Sequence, residues 1–139
     1  MPLPYRAEPA PAGGSLTLSG SEWEDIAGYC RARRVGERVL VSGTTATAGA
    51  DRVVTPKDAG AQTVFVLDKI LAALAALGAS ADDVIRTRIY IVDEADVEAV
   101  SRAHGRVFAE IKPANTLVVV AGLIGGYRVE IEAEALIRT

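Results

Sequence analysis

Cysteine and histidine are almost missing from this sequence; Cys30 and His104 are the only examples. A single thiol excludes an intrachain disulfide, and one cysteine with one histidine gives no metal-site spacing. Positive charge is also scarce. Fifteen Lys and Arg stand against eighteen Asp and Glu, for a net charge of −3, which argues against a nucleic-acid face. Arg31, Arg33, Arg34 and Arg38 lie close in sequence and read as a solvated hairpin. No apolar run reaches the ~20 residues of a membrane span. The opening "MPLPYRAEPAPAGG" lacks a charged region followed by an apolar one, so no signal peptide is read there, and a cytoplasmic protein is expected. There is no internal repeat, low-complexity block or interdomain linker. No metal and no cofactor are expected.

The 139 residues are 50% hydrophobic and 24% charged, enough for one domain with one core. Residues 1–20 hold four of the six prolines and read as a weakly structured arm, with Ser15 to Gly20 as an edge strand. "YCRARRVGERVLVSGTTA" reads as two strands about Gly36-Glu37, the second from Arg38 to Ser42. Asp51 to Val54 is a short extended piece. Pro56 suits the first turn of a helix. Val64, Leu67, Leu71 and Leu74 give it an apolar stripe, and Gly78 ends it.

"DVIRTRIYIVD" alternates, placing Ile85, Thr87, Ile89 and Ile91 on one face and Arg86, Arg88 and Tyr90 on the other. Asp93 or Asp96 caps a second helix with the stripe Val97, Val100, His104, Val107, Phe108 and Ile111. Pro113 blocks its continuation. Asn115 to Ala121 is a strand apolar on both faces. The last strand, Arg128 to Ile137, sets Val129, Ile131, Ala133 and Ala135 against Glu130, Glu132 and Glu134. The order is β-β-α-β-α-β-β, an α+β sheet with two helices on one face. Two helices cover only one face, so the two-sided strand calls for a second copy of the chain. A closed homo-oligomer is expected.

In order and spacing, "GY…RVLVSGTTA", "DDVIRTRIYIVD", "KPAN" and "VEIEAEAL" resemble the RidA/YjgF family of reactive-intermediate deaminases, also labelled endoribonuclease L-PSP. The resemblance runs from about Trp23 to Ile137. It implies a six-stranded, mostly antiparallel sheet with two helices on one face, like the small chorismate mutases. It also implies a homotrimer with small-molecule clefts between subunits.

Deaminases of that family hydrolyse imines and enamines and carry Pro-Ala-Arg-Ser/Thr, whose arginine grips the substrate carboxylate. Here the stretch is Pro113-Ala114-Asn115-Thr116. An amide offers donors and an acceptor but no permanent charge. The resemblance assigns Glu130 as the acid–base carboxylate acting through water. It places Tyr29, Ser42 and Gly43 on the cleft. Ser101 and His104 stand where the family has an asparagine and a tyrosine facing the neighbour's site. Cys30 reads as a small buried residue.

Three readings follow: a hydrolase of altered specificity, a non-catalytic metabolite-binding trimer, or a ribonuclease or translation inhibitor. The acidic charge disfavours the last. Arg86, Arg88 and Arg128 are the candidates to replace the lost arginine. Asn115 could equally be a turn cap.

Overall fold

The computed structural model describes residues 5–48 and 52–138. The strands are β1 (Glu8–Pro9), β2 (Ser15–Thr17), β3 (Ala32–Val35), β4 (Arg38–Thr44), β5 (Thr47–Ala48), β6 (Arg52–Val53), β7 (Val84–Ile91), β8 (Ala114–Val119) and β9 (Val129–Leu136). The helices are α1 (Glu22–Ala27), α2 (Ala59–Ala76) and α3 (Val97–Phe108). Seven strands form one sheet in the order β1-β2-β3-β4-β9-β7-β8, and β5 and β6 make a separate two-stranded antiparallel sheet. Neighbours in the large sheet are antiparallel except β7 and β8. A parallel pair needs a crossover, and α3 supplies it.

The α+β architecture with two long helices on one face stands as expected. The sheet gains its seventh strand from the N-terminal segment. β2 pairs with β3, and β1 lies outside β2, so Ser15–Thr17 is second from the edge. Gly14 permits this pairing because any Cβ there would run into the carbonyl of Arg34. The short helix α1 carried no apolar stripe in the sequence. Ser21 caps it, its side chain accepting from the Trp23 amide, and Gly28 ends it with φ 77°.

The core lies between the sheet and the two long helices. β9 alternates as its sequence does, with Val129, Ile131, Ala133 and Ala135 buried. Elsewhere local geometry overrides the pattern. In β7 the register shifts between Val84 and Arg86, which buries Val84 and leaves Ile85 44% exposed. Such a bulge flips one residue to the other face. Helix α2 starts three residues later than Pro56, because Asp58 caps it by accepting from the Ala61 amide at 2.9 Å. Gly78 follows its last turn at φ 86°. Its buried face runs through Gln62, Thr63, Val66, Leu67, Ile70, Ala73 and Leu74, while Val64 is exposed. Two polar residues inside the core rotated the stripe away from the one that hydrophobicity alone suggests. Gln62 is held there by accepting from the Arg128 amide at 3.0 Å and donating to the Thr55 carbonyl at 3.3 Å.

Asp93 caps the turn at Glu94–Asp96 by accepting from the Ala95 amide. Asp96 gives α3 no side-chain cap and instead binds Arg128. Val100, Ala103 and Phe108 form the buried face of α3. Val97 is exposed.

Candidate functional site

The residues singled out in the sequence fall into two groups, one on each face of the sheet. In register, Thr87 stands beside Asn115, and Tyr90 beside Glu130. Thr87 and Tyr90 are an odd number of residues apart on the regular part of β7. Their neighbours therefore point to opposite faces. Asn115 belongs to the helix face and Glu130 to the open face, so within one chain they do not meet.

The open-face group centres on Glu130. Three glutamates alternate along β9, but their partners differ. Glu134 pairs with Arg38 across β4 at 3.4 Å. Glu132 pairs with Arg88 at 3.3 Å and also accepts from the Tyr90 hydroxyl. That bond pushes the tyrosine pKa up. Glu130 has no hydrogen-bond or ion-pair partner among the described residues. Its carboxyl group lies against Gly43, where an added Cβ would sit 3.1 Å from Cδ and closer still to one oxygen. Burial raises the Glu130 pKa; Arg31 opposes that shift and Glu132 adds to it.

Arg31 is the residue the sequence reading missed. The sequence pattern sets it among solvated arginines, yet its side chain is only 11% exposed. Its Nη1 donates to the Gly43 carbonyl at 2.9 Å and to Thr44 Oγ1 at 3.3 Å. Its Nε lies 3.5 Å from the buried carboxylate of Glu24. The guanidinium stands 5.8 Å from the centre of the Tyr29 ring. Tyr29, Arg31, Gly43 and Glu130 thus form one connected patch. Ser42 borders it with its hydroxyl turned back to donate to the Cys30 carbonyl at 2.7 Å. Burial raises the Cys30 pKa, which makes it a poor nucleophile.

Of the three arginines considered as replacements, Arg88 is engaged with Glu132. Arg128 donates two bonds to Asp96 at 2.9 and 3.0 Å. Arg86 forms no ion pair among the described residues, and Glu134 bonds Arg38 in its place. The cation acting on Glu130 is Arg31. Its signal in the sequence was an acidic partner, Glu24, seven residues earlier, which only the turn after α1 brings back.

The second group lies under α3. Thr87, fully buried, joins Asn115 to His104. Its Oγ1 is 3.0 Å from Asn115 Nδ2 and 2.8 Å from His104 Nε2. The His104 ring packs on Phe108 with centroids 4.7 Å apart. Burial lowers the pKa of His104 and favours the neutral ring. Asn115 is thus no turn cap; its side chain bonds across to β7. Ser101 is exposed on α3. No group of three or more potential metal ligands occurs among the described residues.

Beside this group, β8 forms the sheet edge. Val118 and Val119 point to opposite faces, yet are 40% and 51% exposed.

The family model for endoribonuclease L-PSP matches residues 20–137. The Streptomyces coelicolor protein SCO2049 is 41% identical over 118 residues, 84% of this chain and 87% of its own. The 3-aminoacrylate deaminase RutC of Acinetobacter baylyi is 35% identical, covering 71% of this chain and 78% of its own. Among solved structures, Rv2704 of Mycobacterium tuberculosis, a member of the YjgF/YER057c/UK114 family, superposes with a TM-score of 0.79. Its identity is 41%, and the match covers 88% of this chain and 98% of that one.

Proposed function

The chain belongs to the endoribonuclease L-PSP family, which includes the YjgF and RutC proteins, and on that footing we propose that it is a cytoplasmic homotrimer with a small-molecule site between subunits. At that site, water held by Glu130 hydrolyses an imine or enamine. The observation that carries this reading is the state of Glu130. Of three glutamates on one strand face, it alone lacks a partner among the described residues, and burial raises its pKa. A carboxyl poised this way suits proton transfer to and from water.

The separation of the two groups supports the subunit cleft. Each chain carries the Glu130 patch on one face and the Asn115 group on the other. A head-to-tail contact brings the patch of one copy to the Asn115 group of the next, and a closed ring repeats the contact without leaving an end. The exposed valines of β8 fit that contact, since an unpaired apolar edge is otherwise an aggregation site. The family resemblance supplies the number three. Asn115 carries no charge, so imines held by a carboxylate are poor substrates. Losing a bidentate charged contact costs roughly two to three orders of magnitude in turnover efficiency.

The test couples a threonine dehydratase to the protein and follows the decay of 2-iminobutanoate. The expected acceleration is weaker than that of arginine-bearing relatives. It is lost in Glu130→Gln and kept in Glu134→Gln. A monomer by sedimentation equilibrium, or activity indifferent to Glu130, overturns the reading.

A further inference from the structure

The Asn115 group fixes the polarity of its own hydrogen bonds. The Thr87 carbonyl lies 3.4 Å from Asn115 Nδ2. A carbonyl only accepts, so the amide turns its NH2 toward Thr87; the flipped amide would set its oxygen against that carbonyl. The same nitrogen donates to Thr87 Oγ1 at 3.0 Å. The single hydroxyl proton of Thr87 is then free to be donated to His104 Nε2, 2.8 Å away. That bond needs an unprotonated Nε2 and places the ring proton on Nδ1. Donation from Asn115 to Thr87 to His104 is the order that gives the Thr87 proton an acceptor within the group. Asn115 turns its Nδ2 inward. Its Oδ1 has no partner among the described residues, and the residue is exposed.

We infer that Asn115 is a specificity-determining residue that presents a carbonyl oxygen to the ligand and so selects an N–H donor, such as a carboxamide or ureido group, over a carboxylate. His104 is a positioning residue that holds this polarity through Thr87. A carboxylate brought to Asn115 Oδ1 meets an acceptor with nothing to donate; a carboxamide brings its own donor. The inference rests on the reading that Asn115 faces the cleft.

Propanamide and propanoate, which differ only in the head group, serve as probes. Each is titrated into 15N-labelled protein while the Asn115 side-chain NH2 and the backbone of Gly43 are followed by NMR. The wild type is expected to bind propanamide about tenfold tighter than propanoate, the worth of one hydrogen bond correctly paired. Asn115→Arg reverses the order. Thr87→Val, which removes the shorter of the two contacts that orient the amide, weakens the discrimination, and Thr87→Ser retains it. Long-range 1H–15N spectra of the free protein show His104 protonated on Nδ1. Equal binding of the two probes, no reversal in Asn115→Arg, or a proton on Nε2 overturns the inference and leaves the cleft reading intact. If neither probe perturbs Asn115 or Gly43, both fall.

Discussion

Lys69 offers a measurement in which the charge itself is the variable. It lies on α2, only 8% exposed, with its ammonium donating to the carbonyls of Thr45 at 2.8 Å and Thr47 at 3.0 Å. Burial and, secondarily, Arg31 lower its pKa from 10.5 to about 8, against a smaller opposing pull from Glu24. A drop of that size corresponds to roughly 3 kcal/mol of unfavourable charge burial at neutral pH. The sign follows from linkage. The folded lysine holds its proton less tightly than the unfolded one, so the penalty is full below pH 8 and disappears as pH rises toward 10.5. Between about pH 7 and about pH 9.5, Lys69 should therefore contribute about 2 kcal/mol of rising stability. Lys69→Met removes that rise. Near pH 7 its net effect is small, because relief of the buried charge is offset by two carbonyls left unpaired at about 1–3 kcal/mol each. The assay is urea unfolding of wild type and Lys69→Met across this range at one protein concentration. Other groups titrate in both proteins, so the difference between the two curves isolates Lys69. Parallel curves would refute the reasoning.

Gly43 lacks a side chain because Glu130 occupies the space and not because of its backbone, so Gly43→Ala should cost about 1–2 kcal/mol in the wild type and much less in a Glu130→Ala background. Chemical denaturation of the four proteins checks the cycle, and additivity would place Glu130 elsewhere. At the β7 bulge, Val84→Ala should cost about 1–3 kcal/mol and Ile85→Ala less, by thermal or urea unfolding. The reverse ranking would restore the uninterrupted alternation that the sequence suggests.

Regular alternation was readable where nothing interrupted it. The faces of β9 follow from its sequence because every second residue is apolar and the irregularities in its two pairings place the extra residue on β4 and β7, not on β9. The same rule fails at Ile85, since a bulge is a property of the strand pair and not of one strand. It fails on α2 because Gln62 and Thr63 are buried. Gln62 needs Thr55 and Arg128, and Thr63 returns its hydroxyl to the Ala59 carbonyl at 2.8 Å. Polar residues can occupy a core face when such partners exist, and hydrophobicity does not report partners.

The site shows the same limit at the level of charge. Glu130, Glu132 and Glu134 have the same chemistry and the same face, and only the residues opposite them decide which stays unpaired. Arg88 and Tyr90 take Glu132, and Arg38 takes Glu134. The arginines divide in the same way. Arg31 and Arg38 look equivalent in a basic hairpin, yet Arg38 has a side chain 60% exposed and Arg31 one 11% exposed. What separates them is Glu24, which also receives the amides of Ser19 and Gly20. Glu24 therefore ties the turn before α1 to the cation that acts on Glu130. A buried carboxylate with several donors and an arginine is a well-satisfied anion. It holds Arg31 against the Gly43 carbonyl, and that placement tempers the rise in the Glu130 pKa that burial alone would give. The cation that tempers the protonation of the catalytic candidate is thus held in place by a glutamate on a helix that has no apolar stripe in the sequence.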